Sequence, residues 1–228
     1  MSSVLSWLTN VFFPQRCCLC GKVIRWRQTM CDDCRRDAPY VLPPICDLCG
    51  RAEDRCICRK RHRHFERCVM PIYYDGIGKS GIGQLKNAAD TVVADGLAVE
   101  MAEVMRREYG GIAFDCVMPV PLHWKDERAK GYNPAALLAQ ALSRRSGIPY
   151  VDGLRKIYRT KPQKKLRAVE RSGNLLGAFT VNEPSAVKDK RVLLVDDTIT
   201  TGSTLDECAK MLKIYGVRAV YAVTASGE

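Results

Sequence analysis

Four short, largely apolar runs (residues 69–74, 114–120, 192–195 and 219–223) alternate along the chain with longer stretches whose apolar positions recur every three or four residues (92–107, 135–145 and 203–215). The short runs have the length of buried strands, and the periodic ones that of amphipathic helices. Strands alternating with such helices predict an α/β domain over residues 69–228, a parallel sheet flanked by helices. Ligands of such sheets bind beyond the carboxyl ends of the strands. Residues 1–68 break this texture. Val4, Leu5, Trp7, Leu8, Val11 and Phe12 can share one helical face, which docks either on the protein's own surface, the preferred reading, or on a membrane or partner. From residue 14 to 68 neither period persists. Pro14, Pro39, Pro43 and Pro44 mark a loop-rich segment that buries little core unaided.

That segment is rich in cysteine. Eight of the chain's 12 cysteines fall into the pairs Cys17-Cys20, Cys31-Cys34, Cys46-Cys49 and Cys56-Cys58. Two intervening residues let a tight turn aim both sulfurs at one tetrahedral ion about 2.3 Å away. Gly21 and Gly50 each follow a pair, where such a turn needs a positive φ. One pair is weak evidence, whereas four within 42 residues predict two zinc sites. Four thiolates leave no open position, so the sites are structural, and the metal supplies folding energy. Sequential pairing gives one site from Cys17, Cys20, Cys31 and Cys34 and another from Cys46, Cys49, Cys56 and Cys58. An interleaved pairing is the alternative; the sequential one closes shorter loops at smaller entropic cost. His62 and His64, in the basic run 59–64, either replace a weak ligand such as Cys58 or lie on a solvated basic loop, the preferred reading. That loop is also the candidate nucleic-acid contact. Cys18, Cys68, Cys116 and Cys208 lack such spacing and read as small buried hydrophobes. Chelation is expected to unfold residues 14–68 and leave the sheet domain largely intact.

A length of 228 residues accommodates one large or two small domains, and 46% hydrophobic residues exclude disorder as the default. The formal charge of +11 falls to about +7 once eight zinc-bound thiolates are counted. Residues 1–70 carry 13 Lys/Arg against 7 Asp/Glu, so the excess leans toward the cysteine-rich end. Such a balance attracts phosphates or nucleic acid, less so as salt rises. Cysteine-rich chains are either exported and disulfide-stapled or intracellular and metal-binding. The first ten residues lack the basic start of a secretory leader. No apolar run approaches the roughly 18 residues of a membrane span. A cytoplasmic location, with metal in place of disulfides, is expected.

The most informative stretch is Val192-Leu193-Leu194-Val195-Asp196-Asp197-Thr198-Ile199-Thr200-Thr201-Gly202-Ser203-Thr204. A buried strand ends in two carboxylates, and a hydroxyl-rich turn with a glycine then opens a helix. Adjacent carboxylates accept charge-assisted hydrogen bonds from the vicinal hydroxyls of a ribose. The turn and the helix N-terminus surround a phosphate dianion, and Gly202 permits close backbone approach. Neither Asp-Asp nor Thr-Thr-Gly alone is specific; their ordered combination is.

Residues 192–204 resemble the signature that binds phosphoribosyl pyrophosphate (PRPP) in type I phosphoribosyltransferases. With the cysteine pairs upstream, residues 12–226 resemble the ComF family of competence-associated proteins, which couple a double zinc ribbon to that fold. Residues 117–122 look like the family's pyrophosphate-loop strand end. Arg128-Ala129-Lys130-Gly131-Tyr132-Asn133 resembles its Arg-x-Arg/Lys-Gly-Phe/Tyr-Asn motif, and Lys86 matches a basic position opening the helical region. Arg159-Thr160-Lys161-Pro162-Gln163, with Arg171 and Asn174, resembles its flexible catalytic loop. Two departures stand out: Pro134 replaces the usual Gln, and the fourth cysteine pair has a single spacer. The resemblance implies that Asp196 and Asp197 contact the ribose hydroxyls. Thr198, Thr200, Thr201, Gly202, Ser203 and Thr204 would bind the 5-phosphate, and Mg²⁺ would bridge the pyrophosphate oxygens. Arg159, Lys161, Lys164, Lys165 and Arg171 would close as a lid or lie on a solvated loop. His123 reads as structural more than as a proton shuttle.

Three functions share this pocket: phosphoribosyl transfer to an unidentified acceptor, a non-catalytic accessory factor handling nucleotide or single-stranded DNA, and a PRPP-sensing regulator. Fold alone does not choose among them. The family's association with competence favours a role in DNA uptake, with DNA-uptake proteins as possible partners. The acceptor is expected under a hood between zinc module and sheet.

Overall fold

The computed structural model describes residues 15–56, 58, 62–158 and 177–228. Residues 4–12 therefore lie outside the described residues. The sheet is parallel throughout. Its central strand β6 (Arg191–Ile199) pairs with β3 (Cys116–Pro119) on one side and β7 (Ala219–Gly227) on the other. β1 (Arg67–Val69) and β2 (Ile72–Tyr73) both extend the far edge of β7. The apolar run 69–74 thus yields parts of two strands, because Pro71 offers no N–H to continue a ladder.

Strand alternation sorts the sheet into two faces. Leu193 and Val195 join Val117 and Val223 in one core, which is covered by α3 (Thr91–Glu108) and α5 (Pro134–Ser146). Val192 and Leu194 join Cys116, Met118, Val220 and Ala222 in the other. That core is covered by α7 (Ser203–Ile214) and by the antiparallel pair β4 (Leu154–Lys156) and β5 (Phe179–Val181). Val192, Leu193, Leu194 and Val195 of β6 are all 0% exposed, each contributing about 1.5–3 kcal/mol by burial. The helix starts are written in side chains. Asp90 accepts from the amides of Val92 and Val93, and Asn133 accepts from that of Ala135. Pro134 sits in the first turn of α5, where no donor is needed. Asn133 also donates to the Val120 carbonyl at 3.0 Å, tying α5 to the end of β3.

The cysteine-rich segment, with its six-residue helix α1 (Asp32–Asp37), does not stand apart from this body. Cys17, Cys18, Leu19, Met30 and Cys34 share one core with Ile82 and Leu85 of α2 (Gly76–Asn87) and with Ala94 and Leu97 of α3. Gly81 and Gly96 make the notch: a Cβ at Gly81 would lie 2.7 Å from the Cys18 carbonyl oxygen, and one at Gly96 2.5 Å from Cys18 Cβ. A Cβ at Gly50 (φ +70°) would fall 2.5 Å from the Cys68 carbonyl oxygen, so the second cysteine turn sits directly on β1. β1 itself runs across the 68/69 boundary. The metal turns of residues 14–68 are therefore built into a core shared with α2, α3 and the sheet. Cys18, Cys68, Cys116 and Cys208 are fully buried free thiols, as small hydrophobes should be.

Candidate functional site

The cysteines assemble in sequential order. The sulfurs of Cys17, Cys20, Cys31 and Cys34 form one group and those of Cys46, Cys49, Cys56 and Cys58 another, all within 4.8 Å of one another in each. Cys20 and Cys31 are 3.7 Å apart and Cys49 and Cys56 3.8 Å, against the roughly 3.8 Å edge of a tetrahedron with 2.3 Å Zn–S bonds. Backbone amides already point at the sulfurs, from Cys31 to Cys17 Sγ, from Cys34 to Cys31 Sγ and from Cys58 to Cys56 Sγ. Burial opposes ionisation of Cys17, but the amides of Cys20, Cys31 and Leu19 outweigh it and bring the thiol to about 7. Both groups fit zinc. Cys58 completes the second set, leaving His64 to pair with Asp206, Nδ1 to Oδ1 at 3.2 Å. The solvated basic loop expected at 59–64 is not what residues 63 and 64 form. Arg63 is only 11% exposed, lies 3.8 Å from Asp206, and donates to the Thr201 carbonyl. Residues 59–61 lie outside the described residues.

At the carboxyl end of β6 the alternation that buries Val192 to Val195 continues into the acids. Asp197 meets Lys86 of α2 at 3.0 Å. Asp196 accepts from the Asp197 amide at 2.8 Å. Burial, then the Asp197 charge, pushes the Asp196 carboxyl up to about 7, while the Asp197 amide, Lys86 and Lys156 hold it back. Burial lowers the Lys156 ammonium against the pull of Asp126, Cys208 and Asp196. Lys130 is likewise lowered by burial, against Asp197. Lys86 thus pairs directly with Asp197, and Lys130 and Lys156 lie within electrostatic reach of the acids.

Beyond it lies a small hollow, open to solvent on one side and lined by Asp196, Thr198, Ile199, Thr200, Gly202, Ser203, Thr204 and Leu205. Gly202, with φ +75°, caps α7, so the helix begins at the hollow's wall. The hydroxyls of Thr201 and Ser203 are 2.9 Å apart, and those of Thr198 and Ser226 3.1 Å. A helix N-terminus wrapped in hydroxyls suits an anion of one phosphate's size. The oxygen-only donors, two carboxylates and several hydroxyls, also suit a hard divalent cation such as Mg²⁺.

Of the residues read from sequence, Asp196, Asp197, Thr198, Thr200, Thr201, Gly202, Ser203, Thr204 and Lys86 come together here. Arg159 and Arg171 lie outside the described residues. His123 is buried, and its Nδ1 accepts from the Lys125 amide at the start of α4 (Trp124–Lys130), a structural role. Sequence reading missed Lys156 and the arginines behind the phosphate turn, Arg51 and Arg63. Their basic character was visible, but not where they reach. Tyr132 was seen only as part of a motif; its hydroxyl donates to the Leu85 carbonyl at 3.0 Å, fastening the end of α4 beside Lys86.

Residues 129–226 match the phosphoribosyl transferase domain and residues 8–69 the double zinc ribbon domain. Competence protein F of Haemophilus influenzae is 30% identical over 92% of this chain and 95% of its own. The DNA utilization protein YhgH of Escherichia coli is 30% identical over 90% of this chain and 86% of its own. Competence protein ComFC of Bacillus subtilis is 25% identical over 86% and 88%. The chain belongs to the ComF family, in which a double zinc ribbon is joined to a phosphoribosyltransferase domain.

Proposed function

We propose that the chain binds PRPP, or a related phosphoribosyl nucleotide, with Mg²⁺ at the carboxyl end of β6, in the service of DNA uptake or utilisation. Residues 1–68 act as the metal-bearing module and 69–228 as the phosphosugar domain. The observation that carries this reading is the join between the acid pair and the hollow: Asp196 belongs to both. The hydroxyl-lined turn takes the 5-phosphate, Asp196 and Asp197 accept from the ribose hydroxyls, and Lys86 and Lys130 face the diphosphate. Mg²⁺, which the carboxylates of Asp196 and Asp197 and the nearby hydroxyls would help to hold, would supply charge neutralisation for the leaving group. In transfer, the bond from C1 to the pyrophosphate oxygen breaks with its electron pair leaving on pyrophosphate, and an acceptor lone pair bonds to C1. The intervening positive charge on the sugar is favoured by the nearby carboxylates.

Calorimetry of PRPP with Mg²⁺ on the full chain and on the Asp196→Asn, Asp197→Asn double variant tests the site. Binding by the first and not the second is the expected result, and equal affinity refutes it. Pyrophosphate release with candidate acceptors then separates an enzyme from a sensor. Salt-sensitive binding of single-stranded DNA that survives the double substitution marks an accessory factor, the second reading drawn from the relatives' names.

A further inference from the structure

The second cysteine cluster reaches the phosphate turn through two arginines. Arg51 follows Cys49-Gly50 and is only 3% exposed. Its guanidinium forks, with Nε donating to the main-chain oxygen of Glu228 and Nη2 to that of Thr200. These carbonyls lie one step beyond the last rung of the β6–β7 ladder, Ile199 opposite Gly227. Arg63 Nη2 donates to the next carbonyl, that of Thr201. The surrounding chain is pinned as well: the His64 amide donates to Asp206 Oδ1 at 2.7 Å, in the first turn of α7. Neither arginine lines the hollow.

A peptide unit is planar and trans, so its C=O and N–H point in opposite directions. Drawing the Thr200 carbonyl onto Arg51 turns the Thr201 N–H the other way. Drawing the Thr201 carbonyl onto Arg63 does the same for the Gly202 N–H. Gly202 sits in the left-handed region, where a flexible turn has other choices open to it. Two charged donors on consecutive carbonyls remove those choices.

We propose that Arg51 and Arg63 are positioning residues, through which the segment around the second metal-binding turn holds the Thr201 and Gly202 amides in the orientation that receives a phosphate monoester. This rests on the phosphosugar reading above and adds to it a dependence of the pocket on a segment carried by the cysteine module.

The test uses the full, zinc-loaded chain and compares Arg51→Ala, Arg63→Ala and their double variant with wild type. Ribose 5-phosphate reports on the turn, and Mg²⁺-pyrophosphate reports on the lysine side of the site. Each single substitution should weaken ribose 5-phosphate about tenfold, the order expected for a hydrogen bond from a charged donor, and leave pyrophosphate affinity unchanged. Arg51→Lys keeps the charge but not the fork and should also be weak. Unchanged ribose 5-phosphate affinity in the double variant overturns the proposal, as does equal weakening of both ligands, which signals general loosening. Should wild type bind neither ligand, the phosphosugar reading fails by itself. Hydrogen exchange then decides the brace: amides 200–204 exchange faster in the double variant if it exists, and at the wild-type rate if it does not.

Discussion

Lys86 Nζ stands 3.0 Å from Asp197 Oδ1 and 3.4 Å from Thr198 Oγ1, so the last turn of α2 is tied to the carboxyl end of β6. The lysine sets a positive charge beside two adjacent, partly buried acids. For Asp196 it favours the charged form and so opposes the upward push of burial and of Asp197. Replacing Lys86 with Gln should therefore raise the Asp196 midpoint above its value of about 7. Carboxyl-resolved NMR titration of the ligand-free chain reads this directly. A midpoint that stays put or falls shows that the lysine does not compensate the pair.

Asp196 also makes stability depend on pH, with a definite sign. An unfolded aspartate titrates near 3.9, whereas the folded one is raised to about 7. Below about pH 4 both states hold the proton and the group costs nothing. Between about 4 and 7 the unfolded chain releases it first, so stability falls as pH rises, and above 7 the loss is complete. Asp196→Asn cannot ionise. The ligand-free variant should match wild type at pH 4 and exceed it in urea midpoint at pH 8. A variant less stable than wild type at pH 8 contradicts the assignment.

Much of this was legible beforehand, for reasons that vary with the element. β6 and α7 declared themselves because four consecutive apolar residues and an amphipathic period leave little choice. The phosphate turn was visible because its residues are contiguous. α2 gave no such signal: Gly76, Gly78, Gly81 and Gly83 dilute its period, and two of them serve packing, with a Cβ at Gly78 only 2.4 Å from the Tyr73 carbonyl oxygen. Arg51 and Thr200 are 149 residues apart, and no spacing rule connects them. Contacts made by long side chains across a fold leave no period in the sequence. The same holds for Lys156, which reads as one more charge in a basic chain until β4 brings it toward Asp196.

Gly96 offers a test of how the first cysteine turn is seated. It lies inside α3 with no positive φ, so alanine would ordinarily stabilise the helix by about 1 kcal/mol. Here the added methyl would stand 2.5 Å from Cys18 Cβ and 3.0 Å from its sulfur. Overpacking of this kind costs about 1–3 kcal/mol. Gly96→Ala should therefore lower the stability measured by urea unfolding, by up to about 2 kcal/mol net. Gly83→Ala, within α2 and with nothing within 4 Å of its Cβ, should hold or raise it. Equal gains from both substitutions mean that the notch does not grip the turn.

Metal removal should be felt far from the cysteines. Zinc bound by four thiolates contributes about 10–16 kcal/mol to the small units it folds, as much as the whole stability of an ordinary domain, about 5–15 kcal/mol. Were the cysteine module a separate bead, its loss would leave the sheet standing. Cys17, Cys18 and Cys34 instead share a core with Leu193 and Val195 of β6, and Gly50 rests on the β1 backbone. Chelation under reducing conditions should then speed hydrogen exchange at residues 192–195 as well as within residues 15–56, and the two regions should regain protection together when zinc is returned. Full protection of the β6 amides in metal-free protein, with residues 15–56 exchanging freely, would show that the shared core carries no coupling between the halves.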